Sequence, residues 1–138
     1  MKAETKYVAF NGVMFDTPDA AKHYETTMYL KTRHRNCIRT VNMISKSVRD
    51  KRSRIEYLIE QLTACNTILR NQSSNDTDIF NAKTRRFNMR AELELLIPEY
   101  VHEKNILRKY NKKLSYYYNR IMEETKNQIK NNENNTNH

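Results

Sequence analysis

Apolar residues return every seven positions through the first half of this chain. One row is Val41, Val48, Ile55, Leu62 and Leu69. A second is Cys37, Ile44, Lys51, Leu58 and Cys65, with Lys51 its one polar member. Offsets split three and four place both rows on one stripe of an α-helix, the a and d positions of a coiled coil. No Gly or Pro lies between Pro18 and Pro98, so nothing forces a break. The pattern predicts helix over residues 18–71, either one helix of roughly 80 Å or two meeting near Arg33 to Asn36. A solitary helix of that length needs a packing partner.

The second half supplies one. Leu93, Tyr100, Leu107, Leu114 and Ile121 form a seven-residue row, with Leu96, Tyr110 and Tyr117 beside it. Between the halves, Asn71 to Asp78 is polar and reads as a loop, with Asp76 or Thr77 as the cap of the next helix. Two matched stripes joined by a short loop predict an antiparallel helical hairpin over 18–71 and 78–129. Phe80 and Phe87 are expected to pack near its turn. Pro98 should kink the second helix or start a new one. Residues 131–138 are polar and aperiodic and are expected to be a disordered tail.

The opening residues follow period two instead. Tyr7 to Phe15 places Asn11-Gly12 between apolar runs, the strongest short hairpin cue. A two-residue turn would set Phe10 against Val13 and Val8 against Phe15, giving a hairpin over 5–15. Two strands are marginal alone, so one face should pack on a helix, through Ala21, Tyr24 and Met28. Thr17 is a good N-cap, Pro18 suits the first helical position, and Asp19 suits the positive helix end. The expected fold is therefore mainly all-α: a long antiparallel coiled-coil hairpin with a small N-terminal β-hairpin, residues 1–130 forming one domain.

Charge narrows the partners. The chain has 138 residues, 25 Lys and Arg against 16 Asp and Glu, and a formal net charge of +9. That balance favours nucleic acid, an anionic membrane or an acidic protein surface, or serves solubility alone. No apolar run approaches the ~18 residues of a membrane span, and no signal-like core follows the N-terminus. The expectation is a cytoplasmic protein without a membrane partner. Cys37 and Cys65 are about 42 Å apart if one helix holds both, too far for a disulfide.

Nine of the cations fall between Lys31 and Arg54, with Asp50 the one acid. At about 100° per residue, Lys31, Arg35, Arg39, Lys46 and Arg49 share an arc opposite the apolar stripe, with Arg52 beside it. Such a stripe can follow phosphates or an acidic groove. Tyr116, Tyr117 and Tyr118 lie near Lys112 and Lys113, a mixture that can stack bases. Tyr117 belongs to the seam, which leaves Tyr116 and Tyr118 as candidate contacts. Glu99-Tyr100-Val101-His102 has the Glu-x-x-His spacing of di-metal bundles, but no second copy exists. With one Gly there is no phosphate loop, and no nucleophile has a recognisable elbow or base. The reading is non-enzymatic, with no catalytic residues, metal or cofactor.

The stretch from Tyr7 to Glu25 resembles the opening of many small bacteriophage accessory proteins. Gly12, Phe15, Asp16, Thr17, Ala21, Tyr24 and Glu25 carry the likeness. It implies a phage origin, a nonessential or host-directed role and a place in the host cytoplasm. The same stretch is similar to modular DNA-binding repeats of homing nucleases, which place a Gly where this chain has Glu25-Thr26-Thr27. Two functions follow as expectations. One is contact with nucleic acid, or its machinery, through the cationic stripe. The other is an inhibitor or adaptor docking on an acidic host protein. A structural virion component is a third. A homo-oligomer is expected in either case.

Overall fold

A computed structural model describes residues 6–71 and 75–136, the side chains of 131–136 excepted. The elements in order are β1 (Tyr7–Val8), β2 (Met14–Phe15), α1 (Pro18–Arg70) and α2 (Asp76–Thr136). The two long helices pack against each other as an antiparallel hairpin. Contacts group the chain into two units: Met1–Val41 with Tyr110–His138, and Asn42–Lys109.

In the first unit, β1 and β2 pair antiparallel with Tyr7 opposite Phe15 and Val8 opposite Met14. This register is one residue away from the expected one. The reason is the turn. Gly12 N donates to Ala9 O at 3.0 Å and Ala9 N donates to Val13 O at 2.9 Å. Only Gly12, at φ 85°, is left-handed among the described residues. The loop is therefore three residues, Phe10-Asn11-Gly12, ending in a glycine bulge, and not a two-residue turn. A slip of one residue exchanges the two faces of a strand. Ala9 is buried and Phe15 half-buried, while Val8 and Met14 are exposed. The Phe15 ring lies 5.0 Å from that of Tyr24.

Thr17 caps α1 as expected, its hydroxyl accepting from Ala20 N at 3.1 Å. The next residues hold the hairpin tip. Phe10 N donates to Glu25 Oε1 at 3.0 Å, and Asn11 Nδ2 donates to Tyr24 OH at 2.6 Å. Below them Ala21, Leu30 and Cys37 are buried. Cys37 Sγ donates to the Tyr110 carbonyl at 3.3 Å. The seam of this unit also holds a polar pair: His23 Nδ1 lies 3.0 Å from Glu124 Oε2. His23 and Leu30 extend the seven-residue row of Cys37, Ile44, Lys51, Leu58 and Cys65 upstream.

The second unit has the denser core. Leu58, Cys65, Met89 and Leu93 are buried together, with Ile55, Leu62 and Leu96 packed against them. Every a and d residue predicted for α1 is buried or half-buried, Lys51 included. So are Leu93, Leu96, Tyr100 and Leu107 of α2. Lys51 is accommodated because Glu103, itself a d position of α2, accepts a hydrogen bond from its ammonium. Ser47 Oγ donates to the second Glu103 oxygen at 2.7 Å, and Glu99 Oε2 lies 3.9 Å from Lys51 Nζ. Hydrogen bonds from Lys51, then Ser47, hold the Glu103 carboxyl below the usual range.

Several boundaries differ from expectation. α1 is one helix, without a break near Arg33 to Asn36. The cap of α2 is Asn75, whose Oδ1 accepts from Asp78 N at 2.7 Å, and not Asp76 or Thr77. The expected loop between the helices falls partly on residues 72–74, outside the described residues. Pro98 lies inside α2 without ending it. Helix continues to Thr136, six residues into the segment expected to be a disordered tail; residues 137–138 lie outside the described ones. Phe80 and Phe87 do not pack near the turn. They are 69% and 74% exposed, since they occupy b positions that face away from the a/d seam.

Candidate nucleic-acid interface

α1 presents the cationic residues because its apolar stripe is committed to the seam. In the first unit Lys31, Arg35 and Arg39 are exposed on the side away from Cys37. In the second unit Lys46 and Arg49 are exposed on the side away from Leu58, and Arg52 is exposed beside them. Among the described residues no carboxylate lies within ion-pair distance of Lys31, Arg35, Arg39, Lys46 or Arg49. Arg52 differs: its Nε lies 3.1 Å from Glu56 Oε1, one helical turn on.

Two other arginines inside the expected cluster are engaged elsewhere. Arg54 grips Glu92 with two hydrogen bonds, of 2.7 and 2.9 Å, across the helix pair. That contact raises the Arg54 pKa and lowers that of Glu92. Arg33 lies over the Tyr29 ring at 5.3 Å. Counting cations along α1 cannot separate these from the free ones; the heptad position does. Arg33 and Arg54 are at g, flanking the seam, whereas Arg35, Arg39, Lys46 and Arg49 are at b or f.

The tyrosines are only partly assembled with the cations. Tyr116 and Tyr118 are 58% and 52% exposed, and Tyr117 is half-buried in the seam. Tyr118 lies 6.3 Å from the His34 ring of α1, on the edge that also carries Lys31. Tyr116 stacks edge-on against Tyr117 at 5.5 Å and points to the other side of α2. A base-stacking pair beside a common cation patch is therefore not formed. Glu99, of the Glu-x-x-His spacing, lies beside Lys51. Among the described residues there is no group of three or more His, Cys, Asp or Glu placed to hold a metal ion, and no helix long and apolar enough to cross a membrane.

Tyr24 receives the hairpin as expected, whereas sequence reasoning missed Glu25, which anchors the hairpin tip beside it. It also missed His23, Glu103 and Glu124 as seam residues. The signal was available: His23 falls fourteen residues before Cys37, and Glu103 and Glu124 fall seven and twenty-eight after Leu96.

Comparison with protein-family models, with curated proteins and with solved structures gives no match. The arrangement itself defines a helical hairpin with exposed cations on the outward side of α1, of which Lys31, Arg35, Arg39, Lys46 and Arg49 form no ion pair among the described residues.

Proposed function

We propose that this chain is a non-enzymatic, phage-encoded protein that binds nucleic acid through the outward face of α1. One observation carries the reading: Lys31, Arg35, Arg39, Lys46 and Arg49 are exposed and meet no carboxylate among the described residues. Cations already neutralised by neighbours release few counterions from DNA; free ones release more. Contacts of this kind read phosphates and not base edges, so sequence preference is weak. The likeness of residues 7–25 to phage accessory proteins supports the phage origin and names no ligand.

The test is fluorescence anisotropy with a labelled duplex and a labelled single strand over a salt series. Three phosphate contacts from Lys31, Arg35 and Arg39 give a log–log slope of about −3 on duplex. Replacing Arg35 and Arg39 by Ala should reduce the slope by about 2 and weaken all sequences alike. Unchanged affinity in both R35A/R39A and K46A/R49A refutes the proposal.

A second reading, an adaptor that docks on an acidic protein, is favoured by other residues. Phe80, Phe87 and Ile97 of α2 are exposed apolar groups for which a phosphate backbone offers no partner.

A further inference from the structure

The second unit is sealed by polar contacts along one edge and left open along the other. Arg54 pairs with Glu92, Arg85 donates to Gln61 at 2.9 Å, and Lys51 faces Glu99. Apart from Lys51, these residues hold g positions. In an antiparallel pair g faces g and e faces e. The opposite edge therefore combines Arg52 and Ile59 of α1 with Lys83, Arg90, Ile97 and Lys104 of α2. Among the described residues, neither Lys83 nor Arg90 nor Lys104 meets a carboxylate. Lys104 lies over the Tyr100 ring of its own helix at 5.3 Å. This edge has cations and two exposed isoleucines, with no ion pair between the helices among the described residues.

The b positions of α2 adjoin the same edge. Phe80, Phe87 and Val101 are 69%, 74% and 49% exposed there, and Ile97 at e is 42% exposed. Together e and b alternate in steps of three and four, the spacing of a second seam on a helix whose first is filled. A shallow groove of about 370 Å³, lined by Arg90, Leu93, Glu94, Ile97 and Pro98, opens on this side.

We propose that this edge docks an acidic amphipathic helix of another protein. Its apolar stripe would cover Phe87, Ile97 and Val101, and its Asp and Glu flanks would meet Lys83, Arg90 and Lys104. The proposal gives the adaptor reading a surface and an occupant, and does not rest on the outward face of α1. Charge selects the occupant. A second copy offering the same edge would set these cations against themselves, in a chain of net charge +9. A phosphate backbone would leave Phe87, Ile97 and Val101 without an apolar partner.

The test uses the full chain and a fluorescein-labelled synthetic peptide of about 21 residues, three heptads with Leu at core positions and Glu on the flanks. Anisotropy is read at about 0.15 M salt. Saturable binding is expected, weakened at least about tenfold by Arg90→Glu, by Ile97→Asp and by scrambling the peptide. R35A/R39A should leave it unchanged, which separates this proposal from the nucleic-acid reading. Circular dichroism checks that each variant folds. Equal binding of the scrambled peptide, or indifference to both Arg90→Glu and Ile97→Asp, overturns the proposal. So does loss of self-association in Arg90→Glu by sedimentation. Competition with the peptide by an oligonucleotide, or by vesicles of phosphatidylcholine and phosphatidylserine, overturns it too.

Discussion

Replacing Glu103 by leucine removes the partner of Lys51 from the seam. The two side chains are 25% and 22% exposed, between a surface pair and a buried one. Surface pairs contribute about 0–1 kcal/mol, and breaking a fully buried pair costs about 3–5 kcal/mol. Partial exposure places the Glu103→Leu cost at about 2 kcal/mol, since the ammonium keeps only Glu99, at 3.9 Å, and Ser47. In a chain of this size that is a fall of roughly 4–8 °C in Tm. Lys51→Leu alone should cost less, because Ser47 still donates to the Glu103 carboxylate. The double replacement continues the apolar rows through this layer and should restore stability to within about 1 kcal/mol of the parent. Urea denaturation followed by circular dichroism gives all four corners of the cycle, with an expected coupling of about 1–2 kcal/mol. The pH dependence gives an independent readout. The Glu103 pKa is lowered in the folded chain, so its contribution is complete above the unfolded value of about 4.3 and is lost as pH falls through the folded one. The parent should lose stability on acidification over that window more steeply than Glu103→Gln. Additive single effects, or identical pH profiles, would show that the pair does not hold the seam.

Three further outcomes follow from the packing. Leu58→Ala should cost about 3 kcal/mol by urea denaturation, as Leu58 is 1% exposed, while Leu95→Ala, at 74% exposure, should change nothing measurable. Asn75→Ala should lower stability by about 1 kcal/mol through the lost cap, and Asn75→Ser should recover most of it. Gly12→Ala forces a side chain onto φ 85° and should cost about 1 kcal/mol although nothing crowds the site, with Gly12→Asn milder in the same thermal melt.

Much of this architecture was legible in the chain because the heptad rows are long. Each layer restates the others, so Val48, Leu62 and Leu107 could be placed without knowing the loop. Features set by a single residue were not legible. The hairpin register turned on whether Asn11 joins Gly12 in the left-handed region, and the local sequence fits either turn. The α2 cap turned on Asn75 against Asp76 and Thr77, three comparable acceptors in a row. Pro98 ended nothing because it removes one donor from a helix otherwise held on both sides by its own ladder and by the seam. The candidate face was legible in part. Periodicity placed Arg35, Arg39, Lys46 and Arg49 outward. The commitment of Arg54 to Glu92 was not, since it depends on which layers of the two helices meet. Phe80 and Phe87 were misplaced because their hydrophobicity was read without their b positions.

The two cysteines sit in different units, Cys37 in the first and Cys65 in the second, both shielded from solvent and neither in a disulfide. A thiol reagent reaches such a sulfur only when its surroundings part. The chain therefore carries two native clocks, and their separate alkylation rates time the opening of each unit without any introduced label.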